Sequence, residues 1–329
     1  MNKTIVGLLC ALPLAVDAQT LNIAGQDYLV HGGASGTFQY HSHSASNIDA
    51  MGTALNDVFV GLASENKQEL LSIDAAVGNL QQQDFFYTTA PSPPMDLGLL
   101  YGWFNLRTNK YLLFELGLIE TRSSYERTIS FHNPHVTMGA TRRTQANYYA
   151  GFRLNAELPA LPVRVYAEFS APDNVSGAQL AAGLEWRYGK HHFSLNYSNE
   201  SEDRSTVNSH ADVRLHPLLS IGYNVDYHTK PNFPDNLNAN AIGISGYMAL
   251  QLESITIPVR AEVIDDGDTN IYGLGKTYAI TISPTKKLSE HVTARLDGFY
   301  VQSSTKPFKD ERGFVNSQIG ATLQLVWQF

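Results

Sequence analysis

VNSQIGATLQLVWQF, residues Val315 to Phe329, decides the fold. Phe329, Trp327, Leu325, Leu323, Ala321, Ile319 and Val315 fall on one face of an extended chain, and Gln328, Gln324, Thr322, Gln318 and Asn316 fall on the other. Side chains alternate with period two along a strand, so a stretch that is apolar on one side and amide or hydroxyl on the other is a β-strand set between two different solvents.

The same two-sidedness recurs upstream. Leu219, Ile221, Tyr223, Val225 and Tyr227 oppose Ser220, Gly222, Asn224, Asp226 and His228. Ile255, Ile257, Val259, Ala261 and Val263 oppose Thr256, Arg260 and Glu262, and Val163, Val165, Ala167 and Phe169 oppose Arg164, Tyr166 and Glu168. Phe193, Leu195 and Tyr197 oppose Ser194, Asn196 and Ser198. The pattern predicts strands over 36–41, 57–63, 70–78, 98–106, 111–120, 147–158, 163–170, 179–188, 192–198 and 207–216. Six more are predicted over 219–228, 242–253, 255–264, 272–283, 292–302 and 315–329. Short connections alternate with long polar ones, the short ones lying near 65–68, 108–109, 159–162, 189–190, 216–218, 254 and 284–290.

A soluble sandwich would also alternate. Strands of about ten residues are long for a sandwich and suit a tilted bilayer crossing. Aromatic residues collect at strand ends on the apolar face, at Tyr148, Trp186, Tyr188, Tyr227, Tyr300 and Trp327, as an interfacial girdle requires. No later stretch is apolar enough for a membrane helix, and in a barrel lipid-facing and inward residues cancel in a window average. The expected fold is therefore all-β: a transmembrane antiparallel barrel of about 16 strands, with short periplasmic turns and long outward loops.

Met1, Asn2 and Lys3, an apolar run from Ile5 to Val16, and then Asp17, Ala18 and Gln19 read as a secretory signal peptide cut after Ala18. The expected organisation is 1–18 leader and 19–329 barrel. Cys10, the single cysteine, is preceded by Leu9 rather than a small residue, which argues against lipidation. Its place in the leader leaves the mature chain without disulfides, thiolate metal sites or a cysteine nucleophile. A formal net charge of −8 argues against nucleic acid as a partner.

On the inward face the charges are mixed. Arg153, Arg164, Arg187, Arg214, Arg260 and Arg295 stand against Glu115, Glu157, Glu168, Glu185, Asp212, Asp226, Glu262 and Asp297. Opposite signs two residues apart, as in Glu185 with Arg187, Asp212 with Arg214, Arg260 with Glu262 and Arg295 with Asp297, fit a solvated, salt-bridged wall. The sharper alternative is a transverse field across an aqueous lumen. The longest connection, 121–144, carries Arg122, Arg127, Arg142 and Arg143 with His132 and His135. It is expected either to fold inward and narrow the lumen or to stay outward and meet lipopolysaccharide phosphates. The connection 81–94 is the other candidate for folding inward.

Catalytic and metal motifs are not found. His132 and His135 flank Asn133-Pro134, which breaks the helix a zinc pair would use. The acidic run Asp265, Asp266, Gly267, Asp268, Asn270 lacks the distant bidentate glutamate of a calcium loop. No GxSxG, phosphate-binding or dinucleotide fingerprint occurs. No enzyme activity, metal or cofactor is expected.

The final strand, ending in Phe329 with Trp327 two residues before it, resembles the terminal strand of bacterial outer-membrane barrels. That resemblance implies a sorting mark, carried by Trp327 and Phe329, read by the barrel assembly machinery. Residues 99–126, LLYGWFNLRTNKYLLFELGLIETRSSYE, together with Thr141–Leu158, are similar to a segment of the putative β-barrel porin family of Gram-negative bacteria, including the Tyr125-Glu126 pair. Leu118 departs from that pattern, which carries a basic residue after glycine. The resemblance implies a porin in the cell outer membrane of a Gram-negative bacterium: a passive diffusion channel for small hydrophilic solutes and ions, in contact with lipid and lipopolysaccharide and able to form a homo-oligomer. The alternative is a structural or adhesive barrel plugged by its own loops, serving as partner in a surface assembly.

Overall fold

The structure is a computed structural model and describes residues 20–23, 26–42, 51–64, 71–80, 98–145, 148–158, 160–171, 179–201, 204–233, 237–267, 271–310 and 313–329. The expected leader 1–18, the connection 81–94 and residues 268–270 lie outside them.

The first of the described residues form a short strand β1 (Thr20–Ile23) that doubles back on β2 (Gln26–His41). There follow β3 (Met51–Ser64), β4 (Leu71–Leu80), β5 (Gly98–Arg107), β6 (Leu112–Glu120), β7 (Tyr148–Leu158) and β8 (Val163–Ala171). Next come β9 (Gln179–Tyr188), β10 (His191–Ser201), β11 (Arg204–His216), β12 (Leu219–Phe233), β13 (Leu237–Gln251) and β14 (Thr256–Asp265). The last are β15 (Lys276–Ile282), β16 (Thr285–Lys287), β17 (Val292–Ser303), the outer hairpin β18 (Phe308–Asp310) and β19 (Gly313–Val315), and β20 (Ser317–Gln328). Each wall strand pairs antiparallel with the next, and β2 pairs with both β3 and β20, so the sheet closes on itself as a barrel of sixteen strands. Among the described residues the closed wall has no unpaired edge, the condition for burying backbone in lipid.

The seam is made by the stretch that decides the fold. Trp327 lies opposite Ala34 and Leu323 opposite Phe38, and Phe329 exchanges backbone hydrogen bonds with Gly32 at 3.1 and 3.2 Å. Across the wall, burial is the reverse of a soluble protein. On β20, Leu323 is 43% exposed while Thr322 is 1% exposed. On β15, Tyr278, Ile280 and Ile282 point out and Thr277, Ala279 and Thr281 are buried. A belt of exposed Leu, Ile, Val, Phe and Tyr of this extent marks a face built for a membrane or another apolar partner rather than for water.

Three expected boundaries are corrected. The first wall strand, β2, starts at Gln26 rather than residue 36, because Tyr28 to Ser35 pair with β3 although glycines and a histidine blur their alternation. The strand expected from residue 272 begins at Lys276. The Asp266 carboxylate accepts N–H groups of Tyr272, Gly273 and Leu274 at 3.0, 2.8 and 3.2 Å, and the positive φ of Gly273 and Gly275 bends the chain inward. The turn expected over 284–290 is shorter. β15 breaks at Pro284, which cannot donate to the ladder, and pairing with β17 resumes at Thr285–Lys287.

Parts of the interior are packed rather than wet. Ala241, Ile264, Ala279, Phe299 and Val301 of the wall meet Tyr272, Leu274 and Phe308 from outer connections and Ala140 from the connection after β6. Phe59, Ala76 and Tyr101 form a smaller cluster with Ile129 of that same connection.

Gly117 on β6 is a position of tight fit. It has φ +140°, and a Cβ there would sit 2.1 Å from the Gly102 carbonyl oxygen on β5. Gly117→Ala is expected to destabilise the barrel by about 1–3 kcal/mol, the cost of a forced backbone conformation. Urea unfolding in lipid vesicles reads this directly, and an unchanged midpoint would refute it.

Candidate functional site

The connection between β6 and β7 turns into the barrel. Its start is anchored to Glu120, whose carboxylate accepts from the Arg127 guanidinium at 2.9 Å and the Thr128 N–H at 3.1 Å. Asn133 closes the bend like a second backbone: its Oδ1 accepts the Arg127 N–H at 2.5 Å and its Nδ2 donates to the Arg127 carbonyl at 2.7 Å. Two 3-10 turns, Ser130–His132 and Ala140–Thr144, compact the remainder.

From there the segment is tied to the polar face of strand after strand. Ser130 donates to Asp57 on β3 and accepts from Gln324 Nε2 on β20 at 3.1 Å. Arg295 on β17 donates to the Ser130 and Asn133 carbonyls at 3.1 and 2.6 Å, and Asp297 accepts the Thr137 N–H and hydroxyl at 2.8 and 2.9 Å. Thr141 meets Ser245 on β13 at 2.7 Å, Thr144 meets His228 on β12 at 3.1 Å, and Gln145 donates to Asp226 at 2.8 and 2.9 Å. Tyr125 stacks on Tyr247 with ring centroids 3.9 Å apart.

The strongest tie is ionic. Arg260, fully buried on β14, pairs with Glu126 at 2.6 Å and with Glu262 at 3.0 Å, and donates to the Thr137 carbonyl at 2.8 Å. Glu126 accepts the Gly139 N–H at 2.7 Å as well, so one carboxylate joins two parts of the segment to the wall. A buried ion pair stabilises only when its remaining donors and acceptors are occupied; here Nη1 of Arg260 serves Glu126 and the Thr137 carbonyl, and Nη2 the Thr281 hydroxyl at 3.2 Å.

The residues predicted as inward-facing fall into groups that no local spacing shows. Register sets Glu115, Arg153 and Glu168 in one cross-strand row, and Arg153 pairs with Glu115 at 3.1 Å and Glu168 at 2.7 Å. Arg164 pairs with Glu157 at 2.9 Å and Arg187 with Glu185 at 3.1 Å. Of the expected same-strand pairs, Glu185 with Arg187 and Arg260 with Glu262 form. Arg295 and Asp297 both bind the inward segment instead, Arg214 donates to the Pro217 carbonyl, and Asp212 accepts from the Tyr125 hydroxyl at 3.5 Å. Asp226 is held by the side-chain amides of Asn208, Asn224 and Gln145.

Of the loop arginines, Arg122 pairs with Glu115 and Glu185, Arg127 is exposed beside Glu120, and Arg142 is buried and donates to the Gln145 carbonyl. Nothing is described of the Arg143 side chain. His132 is exposed while His135 is buried against Ser283 at 2.6 Å, so the two do not converge on a common ion. Among the described residues no group of three His, Asp or Glu side chains is placed to hold a metal.

His135 gives the segment a pH dependence. Burial, with Arg260 and Arg295 nearby, holds its pKa well below the usual 6.5. The docked form therefore takes up a proton less readily than a released, solvated segment would. Docking is complete above about 6.5 and weakens as the pH falls below it. Each pH unit of mismatch is worth at most about 1.4 kcal/mol. Protease cleavage within 121–145 is expected to rise on acidification in the wild type and not in His135→Gln; equal rates in the two proteins would refute it.

Sequence reading named Glu126 only as part of the Tyr125-Glu126 pair, without a contact, and missed Asp57, Thr137, Gln324 and Tyr272 as parts of this site. Glu126 had a visible mark, as the one acidic side chain in an otherwise basic segment. Thr137 and Gln324 had none, because their partners lie on strands remote in sequence.

With this geometry in view, the comparisons are specific about family and fold. The profile of the family described as "Putative beta-barrel porin-2, OmpL-like" matches residues 44–329. No curated protein sequence matches the chain. Among solved structures, the outer membrane channel DcaP of Acinetobacter baumannii superposes with a TM-score of 0.70 at 13% identity, covering 95% of this chain and 100% of that one. OmpT of Vibrio cholerae gives 0.66 at 12% identity with the same coverage, and another OmpT structure is described as a trimer form. A porin of Rh. blastica gives 0.57 at 12% identity, covering 92% and 100%. At these identities the superpositions establish the shared barrel.

Proposed function

Since the chain belongs to the Putative beta-barrel porin-2, OmpL-like family, an outer-membrane barrel with a porin-type channel fold, we propose that it works as a passive diffusion channel for small hydrophilic solutes and ions. The observation that carries this reading is the polar, ion-paired segment 121–145 latched across the interior by Glu126 and Arg260. A segment held in that way sets the bore, and the mixed charges of wall and segment set which solutes pass. A wall of sixteen strands is wide enough to enclose an aqueous channel.

One observation favours a plugged barrel instead: inward side chains such as Asp226, Ser245, Arg260 and Asp297 are fully buried. Under the channel reading this burial means a narrow bore. Liposome swelling with sugars of increasing size separates the two readings. Swelling with the smallest sugars that fades as size grows is the expected result, and no swelling with any of them would support the plug.

The proposal extends to the chain's surroundings. Residues 1–18 act as a cleaved leader, so intact mass should place the mature start at Gln19. The exposed apolar belt meets lipid and the outward loops meet lipopolysaccharide. Trp327 and Phe329, which complete the seam, are read by the assembly machinery, and the barrel associates as a homo-oligomer.

A further inference from the structure

Beside the latch, the wall from β6 to β9 carries an arrangement that a size filter does not require. Three guanidiniums converge on the single carboxylate of Glu185. Arg187 lies at 3.1 Å, Arg164 on β8 at 3.6 Å, and Arg122, reaching over from the inward segment, at 3.6 Å. Arg122 also contacts Glu115 at 3.2 Å, but that carboxylate is shared with Arg153, which is occupied further by Glu168. Arg122 lies over the Tyr166 ring at 5.2 Å, which fixes its plane.

Formally the cluster balances: Arg122, Arg153, Arg164 and Arg187 against Glu115, Glu157, Glu168 and Glu185. Its accessible charge does not. The Arg187 side chain is 59% exposed against 5% for Glu185, and the same inequality separates Arg127 from Glu120, at 59% and 22%. Glu157, more exposed than its partner Arg164, and Arg153, at 3% against 10% for Glu115 and 6% for Glu168, are the exceptions. The Glu115, Glu168 and Glu185 side chains are 10%, 6% and 5% exposed while Arg164 and Arg187 keep 25% and 59%, so a solute passing this arc meets a positive field.

We propose, on the basis of the channel reading above, that Arg122, Arg164 and Arg187 form a station for small oxyanions, carboxylate or phosphate, near the short-turn mouth, and that the channel prefers anions. Guanidinium forks match the paired oxygens of such groups and leave spare donors after Glu185 is satisfied. A cavity of about 290 Å³ lined by Lys190, Asp212, Arg214, Ser220 and Gln251 continues the path at this end, again with more cationic than anionic side chains.

Reversal potentials of the purified barrel in a KCl gradient test the preference, and titration of the chloride current with inorganic phosphate, and separately with acetate, tests the station and distinguishes the two oxyanions. Chloride is expected to outrun potassium, with at least one of the oxyanions depressing the chloride current. In Arg164→Gln/Arg187→Gln the permeability ratio is expected to fall about threefold or more as the exposed field is lost, and the oxyanion effect to disappear. Glu157→Gln leaves every arginine in place and is expected to raise the ratio. Potassium preference in the wild type, or a ratio unmoved by both variants, overturns the station while leaving the channel intact. A folded protein that opens no steps overturns the channel reading as well.

Discussion

Arg260→Ala is expected to release the inward segment and raise the single-channel conductance severalfold. The guanidinium is fully buried and paired with both Glu126 and Glu262, and it also holds the Thr137 carbonyl and the Thr281 hydroxyl. Its removal leaves two carboxylates buried together without a cation, a loss of about 3–5 kcal/mol. The barrel wall is held by its own backbone ladder, with β13, β14, β15 and β17 each paired to the next. The penalty is therefore relieved by moving the segment rather than by unfolding the wall. Larger, noisier steps should come with faster proteolysis inside 121–145. Glu126→Gln keeps the shape and one hydrogen bond and should lie between the wild type and Arg260→Ala. A conductance unchanged in Arg260→Ala would show that the segment does not set the bore.

Leu323→Arg is expected to cost about 2–4 kcal/mol, the penalty for a cation on the lipid face near the bilayer centre. Leu323 lies at the middle of β20 with its side chain outward, between β17 and β2. Its neighbour Thr322 points in and is buried, and Thr322→Ala is expected to cost only about 1 kcal/mol, the ordinary size of a point substitution. Urea unfolding of the two variants in vesicles compares adjacent positions on opposite faces. Equal effects would mean that the two faces do not see different solvents.

The sixteen strands are legible because each repeats the same decision, and the predicted span 179–188 coincides with β9. Legibility fails where the alternation is broken by chemistry of another kind. Glycines at 32, 33 and 36 hide the N-terminal part of β2, and the Asp266 turn takes Tyr272 and Leu274 out of a run that reads as strand. It fails for the site in a different way. Sequence supplies the charged residues, but Arg260 finds Glu126 across 134 positions and Arg295 finds Ser130 across 165. Such partners are chosen by closure of the barrel and by the path of one connection. Arg295 and Asp297 illustrate the gap: two apart on one face they read as a pair, and each binds the segment instead.

The most direct test of a latched segment inside a conducting barrel is single-channel recording of the purified mature protein in a planar bilayer, wild type beside Arg260→Ala. Discrete small steps in the wild type and larger ones in the variant are expected. Silent membranes from both proteins, each shown to be folded by its heat-dependent gel mobility, would contradict it.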